Sequence, residues 1–575
     1  MKGGVRHGGS VAAVSLDSRA ERRTPPAMKA WAGALLAGVM VGGCASLDGL
    51  VSETVAEAVV PGSPAVGADG EADWVEYAPD ALPSTDWIAQ FDDPSLNALV
   101  ARGAVRNPQL LQSAAQLESA LARVRIDRGQ LYPALSADFR ASRNEGGTGF
   151  FAGRSNYDLG LSTSWEADIW GRLRDQVDAD LFAAEASAAD LAGVRLSVAS
   201  QIAQSWFGAL EADQLVSLSR RDIDTQERIL RLTERRFESG VTGASDVRLA
   251  RSALSNSEAL FESRLQARDR TVRALQTLVR LYPDAELPLP ETLPTLPPLR
   301  GAGSPEFMLR ARPDVIAAEA RIAEAGLNVD VARKALLPAL RLSGGVAEQA
   351  TSSNGFDPAT GEENSSGILS NFLDIFDLSE IAYNFGAGIA APLFQGGALD
   401  AQVDAQRAQL AARLEAYAQN VLTGYEEVEN ALDAEERLRL REDALREALD
   451  NARSAQDRLR LRYSEGLATI LQLLDAQNRV LSSESQLINA QAERLQNRVR
   501  LHTALGGGQW GEVVPVEVDG VEIPLFGEVG GGDVVGDGSI ETDAGPVIIT
   551  IVAEPSPLAG PVLASDSAGD PGTLR

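Results

Sequence analysis

The sequence has almost none of the residues from which metal clusters, disulfide frameworks and nucleophilic catalytic centres are built. Its 575 residues include two histidines, His7 and His502, and a single cysteine, Cys44. Aromatic residues make up only 5% of the chain, so the composition favours close packing of Ala-rich helices over one large globular core. Enzyme and metalloprotein classes are therefore disfavoured, and neither a metal nor a non-covalent cofactor is expected.

Positive charge and long apolar runs are also scarce. The formal net charge of -29 argues against a nucleic-acid partner, because polyanion binding depends on Lys and Arg contacts to phosphate. Beyond the N-terminal region no apolar stretch reaches the roughly 20 residues that a membrane-spanning helix needs. If this protein crosses a membrane, β-strands must do so.

Cys44 ends a short segment with the features of a secretory signal. Met28-Lys29 supplies positive charge, Ala30–Val41 is apolar, and the segment closes on VGGC. This ending resembles a bacterial lipobox, which implies cleavage before Cys44, covalent lipid on Cys44 and sorting to the outer membrane. An ordinary signal peptide with an incidental cysteine is the alternative. Residues 1–43 are thus interpreted as an extension and signal peptide, starting at Met1 or Met28, and residues 44–84 as a lipidated flexible tether.

Nearly the same pattern occurs twice along the chain, which indicates an internal two-fold repeat. Two pairs of prolines bracket Ala-rich stretches at the same spacing of 25 residues: Pro108 with Pro133, and Pro313 with Pro338. Two further motifs keep one offset of 226: Phe237 and Gly240 against Tyr463 and Gly466.

The apolar period changes in the same order in both copies. Steps of three and four residues from Asn97 to Gln130 predict a helix. Alternation then predicts one strand pair in each half: Leu135–Phe139 with Tyr157–Trp165, and Leu340–Val346 with Tyr383–Ile389. Gly/Ser/Asn-rich loops are expected within the pairs, at Ser142–Asn156 and Glu348–Ala382.

Two long proline-free helices follow the strand pairs, Arg172–Phe237 and Ala398–Tyr463. About 66 residues at 1.5 Å each span roughly 100 Å, and each helix turns at a glycine into a shorter returning helix. Residues 85–304 and 305–510 are therefore predicted to be two equivalent halves, each with a long helix beside two stacked short ones. The acidic tail, residues 511–575, is interpreted as disordered, with a short strand at Val547–Val552 as the minor alternative.

Four strands cannot close a barrel, and open sheet edges in a membrane would leave backbone groups unpaired. Three chains would supply twelve strands and twelve helical columns. The predicted fold is mainly α with membrane β: a long coiled-coil α-barrel plus a β-barrel, four strands per chain, closed only as a trimer.

The chain resembles the TolC-like outer membrane efflux factors, specifically the lipidated NodT branch. The motifs that carry the resemblance lie between about Trp87 and Trp510: DWIAQFDDPSLNAL, SWEADIWGRLR, APLFQGGAL, YEEVENAL, the RRFESG and LRYSEGLA turns, and LHTALGGGQW. The resemblance implies a homotrimeric, passive outer-membrane conduit that meets a periplasmic adaptor and an inner-membrane pump, of the RND type.

The resemblance also implies roles at the two hairpin ends. The adaptor would contact the two tips: Gly240, Val241 and Thr242 in the first, and Gly466, Leu467, Ala468 and Thr469 in the second. The gate would include Asp475, which would repel its own copies and attract cations when presented three times around a pore. Gln472 stands where some members carry a second aspartate, so this ring position is neutral.

Tyr463 and Asp246 match a pair that holds related channels closed by a hydrogen bond between neighbouring coiled coils. The alternative is that Tyr463 packs on the helix seam while Asp246 lies in solvent near a helix N-terminus, where a negative charge is favourable. For the whole protein, the alternative function is a lipid-tethered periplasmic coiled-coil scaffold without a pore, which would need no strands. Neither the substrate nor the particular pump follows from the sequence.

Overall fold

The computed structural model describes Trp74 and residues 87–144, 154–296, 298–299, 301–353, 355–356, 363–364, 382–507, 513–518 and 521–526. After a 3-10 turn at Ala89–Phe91, the first half contains α1 (Pro94–Arg106), α2 (Pro108–Gly129), β1 (Ala134–Asn144), β2 (Arg154–Ala167), α3 (Arg172–Glu238) and α4 (Ala244–Leu278). The second half contains α5 (Pro305–Ala311), α6 (Pro313–Lys334), β3 (Ala339–Ser353), β6 (Ala382–Ala390), α7 (Ala398–Ser464) and α8 (Ile470–Ala504), with the two-residue strands β4 (Gly355–Phe356) and β5 (Glu363–Asn364) after β3.

The long helices and the returning helices of the two halves match in length to the residue. Helices α3 and α7 both have 67 residues, and α4 and α8 both have 35. Their starts and ends differ by the same 226 positions, since 398 follows 172 and 470 follows 244. At 1.5 Å per residue each long helix extends about 100 Å, as the sequence predicts.

Local sequence explains where the short helices begin. Pro108 occupies the first turn of α2, where its missing N–H costs nothing, and the Asn107 side chain accepts from the backbone N–H of Gln109 at 2.8 Å. Pro313 opens α6 in the same way, but Arg312 provides no side-chain cap there. Its guanidinium instead donates to the carbonyl of Ala504 at 2.9 Å, which ties α6 to the end of α8.

The four long strands form one antiparallel sheet in the order β1-β2-β3-β6. The register places Phe139 opposite Leu159, Leu161 opposite Val346, and Val346 opposite Tyr383. The apolar residues of the alternating pattern therefore share one face, and several are exposed: Leu135, Phe139, Leu161, Val346, Tyr383, Phe385 and Ile389.

The strands are longer than the alternation suggests. Residues 348–353 belong to β3 and 142–144 to β1, where the sequence indicated loops. The ladder explains the difference, because β2 pairs with β3 as far as Arg154 and Ser353, and backbone hydrogen bonds extend a strand past its apolar pattern. Among the described residues, no helix combines the length and apolar character needed to cross a membrane.

Contacts between helices set their order. Helix α3 packs against α2 and α4 of its own half and against α6 and α8 of the other half. Helix α7 packs against α6 and α8, and no described helix of the first half packs closely on its remaining side. One chain thus supplies four adjacent columns: α2 with α4, then α3, then α6 with α8, then α7.

Two regions outside the paired halves differ from the sequence-based expectation. Trp74, in the segment interpreted as a flexible tether, is buried, and its indole N–H donates to the carbonyl of Gly303 at 2.8 Å. Its ring meets the edge of Tyr425 at 6.2 Å between centroids, inside the core of the second half.

The acidic tail begins with a β-hairpin, β7 (Val513–Val518) and β8 (Val521–Phe526), where the sequence predicts disorder. Strand β8 lies against α3. Val547–Val552 lies outside the described residues.

Candidate functional site at the hairpin ends

The two hairpins turn through the same backbone motif. Gly240 and Gly466 both have positive φ, 75° and 82°, a conformation that favours glycine. The next residue closes each turn, because the N–H of Val241 donates to the carbonyl of Arg236 at 2.9 Å and that of Leu467 to Arg462 at 2.8 Å. The sequence prediction of glycine turns at these positions is confirmed.

The tips carry exposed apolar side chains at matching positions. Val241 is 61% exposed and Leu467 is 64% exposed. Thr242 and Ala468 are half-buried, and Ala468 packs on the cluster around Tyr463. Such paired apolar tips can take part in contacts with another protein.

Tyr463 joins the two hairpins inside one chain. It is only 1% exposed and packs against Ile229, Ile470 and Leu473. Its hydroxyl lies 2.9 Å from the Thr233 hydroxyl on α3. In the single chain, the partner of Tyr463 is therefore Thr233 and not Asp246.

Asp246 lies in the first turn of α4, half-buried. Its carboxylate lies 3.5 Å from the hydroxyl of Ser245, which is long for a hydrogen bond. A negative charge in the first turn of a helix interacts favourably with the helix dipole. Asp246 thus lies near a helix N-terminus, as in the alternative interpretation, but it is half-buried and not fully in solvent.

Gln472 and Thr469 form a reciprocal cap at the start of α8. The Thr469 hydroxyl accepts from the N–H of Gln472 at 3.3 Å, and the Gln472 side chain accepts from the N–H of Thr469 at 3.0 Å. The sequence T-x-x-Q is the signature of this capping box, so the neutral residue at position 472 has a structural reason.

Asp475 is exposed and paired within its own helix. Its carboxylate accepts from Arg479 at 2.9 Å, one turn further along α8, and its side chain is 63% exposed. The ion pair partly neutralises the charge that three copies of Asp475 would present. Exposed pairs of this kind contribute little to stability.

Arg236 is a residue of this site that the sequence argument missed. Its guanidinium lies over the Tyr463 ring, 4.7 Å from the centroid, and donates to the carbonyl of Tyr463. A second, longer bond reaches the carbonyl of Ser464 at 3.4 Å. Arg236 thus caps the C-terminal end of α7, where unpaired carbonyls and the helix dipole favour a cation.

A buried polar layer lies further from the tips and crosses all four helices of the two hairpins. On α3, Asp222 accepts from Gln477 of α8 at 2.9 Å and from Ser257 of α4 at 2.6 Å. Gln456 of α7 donates in turn to the Gln477 side chain. All of these residues except Gln456 are buried. Separation of the hairpins would therefore remove the hydrogen bond from Gln477 to the buried Asp222 carboxylate, which costs free energy.

A second carboxyl group, that of Asp180, lies nearer the strands and has a raised pKa. Burial, followed by the proximity of Asp127 on α2, raises the pKa of Asp180 on α3 to about 7. Glu324 on α6 adds to this effect, while a hydrogen bond from Gln176 opposes it. Among the described residues, no group of three or more His, Cys, Asp or Glu side chains is arranged to hold a metal ion.

A sheet with one exposed apolar face, two helices of about 100 Å and matched hairpin ends define a channel that joins membrane strands to a long helical tube. The family model for outer membrane efflux proteins matches residues 99–281 and 305–507. The chain belongs to that family.

Relatives and solved structures agree with this assignment. The pyoverdine export outer membrane protein OpmQ of Pseudomonas putida is 30% identical over 465 residues, which cover 78% of this chain and 94% of that protein. The outer membrane protein OprJ of Pseudomonas aeruginosa is 27% identical over 75% of this chain and 88% of its own. The solved outer-membrane channel OprN is 28% identical with a TM-score of 0.65, covering 75% of this chain and 94% of that chain.

The open-state channel MtrE of Neisseria gonorrhoeae is also 28% identical, with a TM-score of 0.64 over 76% of this chain and 95% of that chain. These relatives are efflux channels rather than enzymes. The protein is an outer-membrane efflux channel that assembles as a trimer and works with a periplasmic adaptor and an inner-membrane pump. The predicted α-barrel and β-barrel, closed by three chains, are confirmed, whereas the lipidated branch stays a prediction because Cys44 lies outside the described residues.

Proposed function

We propose that export through this channel is gated where the second hairpin rests on the first. The observation that carries the proposal is the buried hydroxyl pair of Tyr463 and Thr233, which links α7 to α3. Separation of the hairpins breaks this bond and brings the Tyr463 ring into water. Both changes cost free energy, so the contact favours the arrangement in which the ends stay together.

Arg236 supports the same arrangement through its contact with the face of the Tyr463 ring. Its contacts with Tyr463 are available only while α3 and the end of α7 are adjacent. The Asp222 layer adds a buried connection further from the tips. The proposed gate is therefore a set of polar contacts between the hairpins of one chain, with Tyr463 at its centre.

Single-channel conductance of purified trimers in planar bilayers tests the gate. Tyr463→Phe and Thr233→Val each remove one hydroxyl with little change in volume, and each is expected to raise conductance. The double variant is expected to match the single ones, because both lose the same bond. Unchanged conductance in both single variants would contradict the proposal.

Asp246→Ala is the matched control, because it separates the two partners considered for Tyr463. If Thr233 is the partner, Asp246→Ala leaves conductance unchanged. A rise equal to that of Tyr463→Phe would show that Tyr463 bonds Asp246 in the trimer, and would contradict the assignment to Thr233.

We further propose that Asp475 attracts cations weakly at the gate, because Arg479 offsets its charge. Arg479→Ala is expected to strengthen inhibition of conductance by divalent cations, and Asp475→Asn is expected to abolish that inhibition. The same inhibition in wild type and Asp475→Asn would contradict this role.

The hairpin tips are proposed as the contact with the adaptor. The support is the matched exposure of Val241 and Leu467 on otherwise identical turns. Val241→Asp and Leu467→Asp are expected to weaken adaptor pull-down and cellular efflux while heat-sensitive trimers persist on gels. Full adaptor binding by the double variant would contradict the assignment.

Small organic molecules are the proposed cargo, because the names of similar proteins include pyoverdine export and toluene efflux. Deletion of the chain should then increase susceptibility to such compounds, with recovery on complementation.

Covalent lipid on Cys44 is proposed from the lipobox alone. Metabolic labelling with palmitate should mark the wild type and not Cys44→Ala, and equal labelling would contradict it.

A further inference from the structure

The internal repeat allows the interface between two chains to be predicted from the interface between the two halves of one chain. We call these the seam between chains and the internal seam. In the structure, α3 of the first half packs against α6 and α8 of the second half, and β2 pairs with β3. The corresponding elements on the far side of the second half are α7 and β6, whose partners there would be α2, α4 and β1 of the next chain. This is the contact by which three chains close a ring of six equivalent halves.

Equivalent residues in the long and returning helices of the two halves differ by 226 positions. Each contact at the internal seam therefore predicts an equivalent contact at the seam between chains. Thr233 of α3 corresponds to Leu459 of α7, and Arg236 corresponds to Arg462. Tyr463 of the second half corresponds to Phe237 of the next chain's first half. The contact of Tyr463 with Thr233 and Arg236 therefore has a counterpart made from Phe237, Leu459 and Arg462.

We propose that Phe237 of each chain docks on the preceding chain of the ring, between the side chain of Leu459 and the guanidinium of Arg462. The surfaces available in the single chain fit this contact. Phe237 is 46% exposed, a large apolar side chain without cover at the tip of α3. Arg462 is exposed and donates to the carbonyl of Leu467 at the long distance of 3.4 Å. It occupies the position in α7 that Arg236, which lies over the Tyr463 ring, occupies in α3.

The chemistry at the two seams differs in a consistent way. The hydroxyl pair inside the chain becomes an apolar pair between chains, because Leu459 and Phe237 have no hydroxyl. The polar layer is not repeated either, since Ala448 corresponds to Asp222 and Arg251 to Gln477. The seam between chains thus depends on apolar contact and one cation–π interaction where the internal seam has directional hydrogen bonds.

Cross-linking tests the position directly. The full-length trimer carrying Phe237→Cys and Leu459→Cys, treated with a short bifunctional maleimide, is expected to give covalent dimers and trimers. Either single variant is expected to give only monomers after denaturation. The chain's only native cysteine, Cys44, lies far from these positions in sequence and is present in every control.

The internal seam provides the matched comparison. Thr233→Cys with Tyr463→Cys is expected to react within one chain and to give no covalent dimer or trimer. Absence of the ladder for Phe237→Cys with Leu459→Cys, in trimers that remain intact before denaturation, would overturn the proposal. A ladder of equal strength from a single variant would overturn it as well.

A second measurement avoids introduced cysteines. Phe237→Ala is expected to lower the temperature at which the trimer dissociates on gels, whereas Phe237→Leu keeps most of the apolar contact and much of the stability. Val241→Ala changes a residue on the same tip that is more exposed than Phe237, and it is expected to have no effect on that temperature. The inference rests on trimeric assembly and not on the proposed gate, so unchanged conductance in the gate variants leaves it standing. Equal dissociation temperatures for wild type and Phe237→Ala would contradict it.

Discussion

The two halves of this channel have the same helices but hold them together by different chemistry. At equivalent positions in the two helix pairs, α3 and α4 present Ala209 and Val272, whereas α7 and α8 present Glu435 and Arg498. The first pair is fully buried and apolar. In the second, Arg498 is 1% exposed and donates to Glu435 at 2.6 Å.

Further polar contacts extend this ionic pairing along α7 and α8. Arg446 donates to Glu442 at 2.6 Å, and Arg494 also bonds Glu442. Burial alone would raise the pKa of Glu442, but hydrogen bonds from Arg494 and Gln491, together with the charges of Arg494 and Arg446, hold this pKa below its usual value. Backbone geometry is thus compatible with either an apolar or an ionic interface, but the two respond differently when one partner is removed.

Glu435→Ala should have the largest effect on this comparison. It removes the Glu435 carboxylate that accepts from the buried Arg498, and loss of one partner of a buried pair typically costs about 3–5 kcal/mol. The melting temperature of the purified trimer, followed by circular dichroism, is expected to fall strongly.

The double variant Glu435→Ala with Arg498→Val gives the second half the residues of the first. Replacement of a whole buried ion pair by apolar residues is often close to neutral, so the double variant is expected to recover most of the loss. A double variant as unstable as Glu435→Ala alone would show that the two interfaces are not interchangeable.

The next prediction concerns Asp180, a carboxyl group of the first half that has no equivalent in the second half. Gln406 occupies the equivalent position of α7, and Ala332 replaces Asp127. In the folded protein the pKa of Asp180 is raised from 3.8 to about 7, so the folded state binds the proton more tightly than the unfolded state. Stability therefore falls as pH rises from about 4 to about 7, where the carboxyl ionises in a partly desolvated position.

Asp180→Asn should accordingly stabilise the trimer at pH 8 and change little at pH 4. The gain is smaller than the loss in Glu435→Ala, because the Asp180 side chain is only half-buried. Thermal unfolding at both pH values measures it. A constant difference between wild type and variant at the two pH values would show that Asp180 does not titrate in this range.

The parts of the fold that local pattern determines were predictable from the sequence. The long helices end within one residue of the predicted bounds, because no proline interrupts them and a glycine with positive φ ends each one. The shared apolar face of the strands followed from the period of two. The β7–β8 hairpin also has a local signal, since Asp519-Gly520 separates two runs that are rich in apolar residues.

The parts that depend on packing between distant segments were not predictable. Asp222 and Gln226 on α3 look like residues of a solvated helix face until α4 and α8 cover them. Trp74 lies in a segment with no periodicity, and its burial depends on a pocket made by the second half. Tyr463 was identified as important, but its partner Thr233 depends on how far one hairpin is shifted along the other.

The smallest expected effect concerns the starts of the two returning helices. Thr469 caps α8, and its equivalent at the start of α4 is Gly243, which has no side-chain cap. Thr469→Ala should destabilise the second hairpin by about 1 kcal/mol, whereas Thr469→Gly should cost only a few tenths. Gly243 has φ of -86°, so Gly243→Ser is compatible with the backbone and should stabilise the first hairpin by a similar few tenths. Hydrogen exchange of the amides at the start of each helix measures these local changes, and equal protection in Thr469→Ala and wild type would show that the cap contributes nothing to the difference between the two halves.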